Sequence, residues 1–215
     1  MKRTDGAKTL SAQIHDSILE MVIDSGAASE ELLLTESELV DRFGVSKAPV
    51  REALLRLCSE DVLKSIPRCG YVVVRLGKKS GKDNLIVRRM LELNSLNQYF
   101  DLFTKEKVDE IAGHLNEKRE QYGQEATIWQ IWQANLEFHC ELISVSENRY
   151  LVRHLEKCME VERRYYAQNI YNREKHFRQQ FFPEAHENIL KAIREGKKDK
   201  AMKLLDSDIG DGSKF

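Results

Sequence analysis

The chain has 215 residues, 41% of them hydrophobic, and a formal net charge of −1, enough for one medium domain or two small ones but with no bulk charge that points to nucleic acid. Four scattered cysteines, Cys58, Cys69, Cys140 and Cys158, exclude a CxxC zinc pattern and a disulfide framework, and read as free thiols of a reducing cytosol. The start, MKRTDGAKTL, has no apolar signal-peptide core, and no run approaches the roughly 18 apolar residues of a membrane span, so the expectation is a cytoplasmic protein without a membrane partner.

In chain order, Ser11 is placed to cap a first helix whose apolar positions Ile14, Ile18, Met21 and Val22 recur at three and four, and Gly26 to end it. Thr35-Glu36-Ser37-Glu38 is a capping box, in which hydroxyl and carboxylate satisfy free N–H groups reciprocally. It opens a second helix that buries Leu39, Val40 and Phe43 and stops at Gly44. Ser46 then caps a third helix, with Pro49 in the first turn, where a missing N–H costs little. Val50, Ala53, Leu54 and Leu57 form its buried stripe, while Lys47, Ala48, Arg51 and Leu55 fall on another face. Two short helices joined through Gly44-Val45 make a helix-turn-helix, whose second helix lays its N-terminal end in the major groove of DNA. Val62 to Ile66, Pro67 to Gly70 and Tyr71 to Val74 read as a β-hairpin, or wing. Tyr71 to Val74 is its one convincing strand, Arg68 stands at its tip, and Gly70 lets the backbone approach a phosphate or groove wall.

Charge follows the same division. Leu10 to Asp41 carry eight acidic residues and no Lys or Arg, whereas Arg42 to Lys79 carry nine basic and three acidic residues. A local basic stretch is what a phosphate-facing surface needs.

The run Leu34 to Leu57, LTESELVDRFGVSKAPVREALLRL, and the wing Ile66 to Val74, IPRCGYVVV, resemble the GntR family of bacterial transcriptional regulators. The likeness covers about Ala7 to Arg75 and implies DNA contacts from Ser37, Ser46, Lys47, Ala48, Arg51, Arg68 and Gly70. Two positions depart from the family pattern. Lys47 stands where an arginine is usual, and Asp61 where a glycine is usual. Lysine cannot make the bidentate fork to guanine, so Lys47 is expected to hold a phosphate, and the operator to depart from the family's usual sequence.

Gly77 to Asp83 contain no apolar residue, and two glycines and three lysines make them read as a flexible linker. Beyond it, apolar residues recur at helical spacing. The first helix carries Ile86, Met90, Leu91 and Phe100, and later ones span roughly 105–121, 127–145, 148–172, 184–195 and 198–209. The expected fold is therefore mainly α: a winged helix-turn-helix of three helices and a β-hairpin in residues 1–76, a linker at 77–83, and an all-helical bundle in 84–215. Asn135 and His139, four apart, share a helix face. A lone histidine in such a bundle is more often a hydrogen-bonded core residue than a ligand. Arg88 lies two residues before Met90, and a guanidinium near a core needs an anion. Glu92, four residues on, is one candidate, and the carboxylate of a ligand is the other.

Arg88-Arg-Met-Leu-Glu92, Asn135-Leu-Glu-Phe-His139, Ser146-Glu-Asn148, Glu184-Ala-His186 and Ala201 to Ile209 resemble the all-helical FCD effector domain of the FadR-type GntR subfamily, over roughly Leu85 to Ile209. Many members bind a divalent metal through an Asp four residues before a His, a second His, and a third His in the last helix. The matching positions here are Asn135, His139, His186 and Asp208. The resemblance implies zinc, nickel or manganese at these residues, a small organic acid as effector with Arg88 as its clamp, and a homodimer on a palindromic operator in double-stranded DNA, acting as a repressor and not as an enzyme. Two other readings compete. One is an iron-dependent oxygenase using His139, His186 and Asp208 as two histidines and a carboxylate, which leaves the N-terminal head unexplained. The other is a regulator whose helical domain only dimerises.

Overall fold

The structure, a computed structural model, describes residues 8–24, 32–122, 126–170 and 184–210. It divides into two compact units, residues 1–76 with 164–175 and residues 77–163 with 176–215. The helix stop expected at Gly26 lies outside the described residues.

The first unit contains α1 (Leu10–Asp24), α2 (Glu36–Phe43) and α3 (Lys47–Ser59), with strands β1 (Leu33–Leu34), β2 (Leu63–Ile66) and β3 (Gly70–Val73). The strands form an antiparallel sheet in the order β1-β3-β2. Three helices and a hairpin bear out the winged helix-turn-helix. Ile14, Ile18 and Val22 of α1 pack with Val50, Ala53, Leu54 and Leu57 of α3 in one core, which Leu39 of α2 and Tyr71 of β3 complete. The capping box at α2 is present: Glu38 N donates to Thr35 Oγ1 at 3.2 Å, and Thr35 N donates to Glu38 Oε2 at 3.1 Å. Gly44 ends the helix at φ +65°, where a side chain is strained.

Several local expectations change. α1 begins at Leu10, one residue before Ser11, and its N-terminal acceptor is Thr9, whose Oγ1 takes the Ala12 N–H at 3.3 Å. Ser46 occupies the N-cap of α3, but its side chain makes no capping hydrogen bond. β1 is too short for any periodicity to announce it, yet Leu34 pairs with Tyr71 and is buried. Gly70 has φ +133°, and a Cβ there would stand 2.4 Å from the Leu34 carbonyl oxygen. Its freedom is thus consumed by the approach of β1 within the fold, not reserved for a phosphate. Asp61, where the family favours glycine, has φ +54°, which explains the glycine preference and why Asp, tolerant of this region, can replace it.

The last turns of α7 (Arg149–Asn169) belong to this unit as well, a departure from the expected boundary at residue 84. Arg164 Nη1 donates to the Asp61 carbonyl at 2.9 Å. Gln168 takes the Leu76 N–H at 2.8 Å and donates to the Val74 carbonyl at 3.2 Å, and Asn169 donates to the Leu76 carbonyl at 3.1 Å. These amides satisfy backbone groups of the segment leaving the wing.

The second unit is helical: α4 (Lys78–Gln98), a 3-10 turn at Phe100–Leu102, α5 (Lys105–Tyr122), α6 (Ile128–Ser144), the start of α7, α8 (Glu184–Arg194) and α9 (Lys198–Ile209). The stretch read as a flexible linker is the first two turns of α4. Lys79 and Asp83 pair one turn apart at 2.5 Å on its exposed side, and Gly81 is buried on the other. Packing and an i,i+4 pair outweigh a composition that disfavours helix.

α4 is also turned relative to expectation. Its buried stripe is Leu85, Arg88, Glu92, Ser95 and Leu96. Ile86 and Met90, read as core, are 52% and 66% exposed, and Val87 is 48% exposed. Leu91 and Phe100 are half-buried. The main core gathers Leu85 and Leu96 with Ile111 and Leu115 of α5, Phe138 and Leu142 of α6, Ile189 and Ile193 of α8, and Leu205 of α9. Among the described residues no helix is long and apolar enough to cross a membrane.

Candidate DNA-binding surface and metal centre

α3 starts at Lys47, so its free N–H groups and the positive end of its dipole lie beside Lys47 and, one turn on, Arg51. Ser37, Ser46, Lys47, Ala48, Arg51 and Arg68 are all exposed, and Gly70 is half-buried. Arg68 sits in the wing turn at φ +64°. The Arg51 side chain is 68% exposed, but its Nε donates to Glu36 Oε1 at 3.1 Å. The same oxygen accepts from the Tyr71 hydroxyl at 3.3 Å. Burial and the neighbouring Glu36 carboxylate both raise the Tyr71 pKa, which keeps the phenol a donor. Tyr71 of the wing and Glu36 of α2 therefore hold Arg51 through its Nε in a side chain that stays mostly exposed. Sequence reasoning missed Glu36, because an acidic residue in the first turn of a helix already has a reason to be there.

In the helical unit, α6, α8 and α9 bring His139, His186 and Asp208 together, with one ligand atom from each within 4.8 Å of the others. Asp208 Oδ2 lies 3.0 Å from His139 Nε2 and 3.6 Å from His186 Nε2. Ligands about 2.1 Å from a tetrahedral zinc ion stand about 3.4 Å apart, so the spacing fits one metal. His139 Nε2 is fully buried and, although close to Asp208, is out of line for a hydrogen bond. A buried ring nitrogen without a hydrogen bond, aimed at a carboxylate and a second imidazole, is what a metal ligand needs. Asn135 is half-buried one turn before His139 on α6.

The two imidazoles are pulled in opposite directions: burial lowers the His139 pKa, but the Glu92 carboxylate and Asp208 overcome it and raise it. Burial disfavours the Asp208 carboxylate, but the adjacent imidazoles of His139 and His186 overcome it and hold the carboxyl far below its ordinary value. His186 is shifted down, first by burial, which favours the neutral imidazole that binds metal. Its ring stacks on Phe138 with centroids 3.8 Å apart and planes 9° from parallel.

Behind His139 runs a buried chain of charge. His139 Nδ1 is 2.5 Å from Glu92 Oε2, and Arg88 Nε donates to Glu92 Oε1 at 2.6 Å. Arg88 Nη1 donates to Glu162 Oε2 at 2.7 Å. The guanidinium expected to clamp an effector is itself clamped by two carboxylates of the chain, so of its two candidate partners Glu92 is the one present. Glu162, on α7 and far away in sequence, was not legible. With neutral imidazoles, Glu92, Glu162 and Asp208 against Arg88 leave two negative charges, which a divalent cation balances.

The FCD domain family matches residues 84–211, and the family described as bacterial regulatory proteins, gntR family, matches residues 10–73. The chain is 28% identical over 138 residues to the HTH-type transcriptional regulator YdhC of Bacillus subtilis (strain 168), covering 64% of this chain and 62% of YdhC. It is 34% identical over 98 residues to the gluconate operon transcriptional repressor of Bacillus licheniformis, covering 46% of this chain and 38% of that protein. The matched segments thus span about three fifths and two fifths of these relatives. The solved structure of E. coli McbR/YncC shares the fold with a TM-score of 0.71 at 21% identity, over 94% of this chain and 93% of that one. The family is one of transcriptional regulators and not of enzymes, which removes the oxygenase reading of His139, His186 and Asp208. Both halves of the chain are accounted for in this way, and it belongs to the GntR family of bacterial regulators, with an FCD domain following the helix-turn-helix head.

Proposed function

We propose that the protein is a transcriptional repressor that binds a palindromic operator as a homodimer and responds to a small organic acid through its helical unit. The observation that carries the DNA reading is the exposed start of α3, where Lys47 and Arg51 stand one turn apart and Arg51 is aimed by Glu36 and Tyr71. Repression is supported by the gluconate operon transcriptional repressor, whose similarity covers less than half of this chain.

The second copy docks on the outer face of α4. Ile86, Val87 and Met90 are exposed there beside a shallow apolar depression that Leu91, Leu93 and Leu151 line. Two-fold pairing of identical heads is what two symmetric half-sites require. The metal is zinc, nickel or manganese, held by His139, His186 and Asp208, with the Asn135 amide oxygen one turn from His139 as a weaker fourth donor. Its remaining positions take the effector's carboxylate.

The test is a mobility shift at several salt concentrations, on duplexes selected by the protein from a random pool. Arg51→Ala weakens binding to the selected sequence by about 1–3 kcal/mol, the worth of one bidentate base contact. Lys47→Ala weakens all sequences alike and flattens the salt dependence. Unchanged affinity in Arg51→Ala refutes the assignment of α3 as the reading helix.

A further inference from the structure

We propose that Glu92 is a positioning residue of the metal centre: its carboxylate fixes the tautomer of His139, so that the Nε2 lone pair faces Asp208 and His186. The inference rests on the metal reading above.

Glu92 and His139 both have side chains with no exposure to solvent. No water competes for the contact between Glu92 Oε2 and His139 Nδ1, which are 2.5 Å apart. An ionised carboxylate only accepts, so Nδ1 carries the hydrogen and donates it. The lone pair of the neutral ring is then left on Nε2, the nitrogen 3.0 Å from Asp208 Oδ2. Glu92 cannot rotate away, because its other oxygen accepts from Arg88 Nε at 2.6 Å, and Arg88 is anchored in turn by Glu162. Ligating histidines commonly give their second nitrogen to a carboxylate, which orients the ring and raises its basicity. His186 is placed by different means, the stacking of its ring on Phe138. The two imidazoles are therefore not equivalent: one is set by a charged hydrogen bond and the other by an aromatic face.

Glu92→Gln separates tautomer control from mere packing, because the side chain keeps its shape. Arg88 can only donate and takes the glutamine oxygen, which turns the NH2 group toward His139. Nδ1 must then accept, and the ring hydrogen moves to Nε2, where the metal binds. Zinc affinity, read by competition with a chromophoric chelator, is expected to fall about 10–100-fold in Glu92→Gln. A second measurement needs no variant. Imidazole nitrogen NMR of the zinc-loaded wild type shows zinc on Nε2 of His139 and a slowly exchanging hydrogen on Nδ1. Equal zinc affinity in the two proteins, or zinc on Nδ1, overturns the proposal while leaving the metal reading intact. A wild type that takes up no zinc overturns both. If Glu92→Gln does not fold, the wild-type spectrum decides alone.

Discussion

Replacing Gly70 by alanine should damage the first unit more than any other single methyl added to its turns, and the reason is visible atom by atom. The new Cβ would lie 2.4 Å from the Leu34 carbonyl oxygen, whereas carbon and a carbonyl oxygen meet comfortably at about 3.3 Å. The obstacle is backbone on a paired strand, with Leu34 opposite Tyr71, so it cannot swing aside as a side-chain tip would. The position also holds φ +133°, a region that side chains rarely adopt. Backbone strain of about 1–3 kcal/mol and overpacking of a similar size give an expected loss of about 2–6 kcal/mol. Gly44→Ala is the control. It has φ +65° but nothing within 4 Å of the added carbon, so only the left-handed penalty of about 1–2 kcal/mol applies. Urea titration followed by far-UV circular dichroism measures both. Trp129 and Trp132, the two tryptophans of the chain, lie on α6 of the second unit, and their fluorescence transition should stay put while the first unit's moves. If Gly70→Ala costs no more than Gly44→Ala, β1 does not press on the wing and the argument from close approach fails.

Acid should loosen the first unit through His15, which is buried with Nε2 2.7 Å from Glu60 and Nδ1 3.0 Å from Asp16. Burial raises both carboxyls, but hydrogen bonds to His15, with Arg56 for Glu60 and Lys8 for Asp16, overcome it and leave both below their ordinary values. A depressed carboxyl contributes stability that is whole above its unfolded pKa, here 4.5 and 3.8, and lost as pH falls through the folded value. Urea midpoints should therefore drop below about pH 4.5, less steeply in His15→Ala, and parallel acid limbs would refute the pairing. Arg88→Ala should destabilise the second unit by about 3–5 kcal/mol without any ligand, because it strands two buried carboxylates; a loss under about 1 kcal/mol in the tryptophan transition would show that Arg88 is not their counter-ion. Met90→Glu should convert the protein to monomer in sedimentation velocity with its circular dichroism unchanged, and a persistent dimer would move the interface off α4.

What the sequence made legible was local. The capping box at Thr35, the glycine stop at Gly44 and the apolar stripe of α3 are written within a few residues of one another, and each formed where expected. The cluster of His139, His186 and Asp208 was legible only through resemblance: His139 and His186 stand on different helices, and nothing in their own neighbourhoods brings Asp208 to them. β1 escaped because a strand of two residues has no period, and its partner lies almost forty positions away. Gly70 was recognised as special but for the wrong neighbour, since a glycine says that something comes close and not what does. α4 misled most. Its apolar residues have helical spacing, and periodicity reports a stripe without saying which side the protein covers.

The inversion of α4 has a physical logic. A helix that buries Arg88 and Glu92 needs partners that satisfy them completely, and it finds them in Glu162 and His139. Its inner face is thus committed to holding His139 of the His139, His186 and Asp208 cluster. The outer face, free of that duty, carries Ile86, Val87 and Met90, which a lone soluble chain gains nothing by exposing. One helix therefore carries both the buried support of the His139 cluster and the apolar face proposed to dock a second copy, with Arg88 and Met90 only two residues apart on opposite sides. Any rotation of α4 that improves the carboxylate contact of His139 must also move the apolar face, so on the proposed function a metal at the cluster and the geometry of the pair would be coupled through this one helix. Zinc should for that reason change the dimerisation constant of the wild type, and it should fail to do so in Glu92→Gln at zinc concentrations that saturate both proteins.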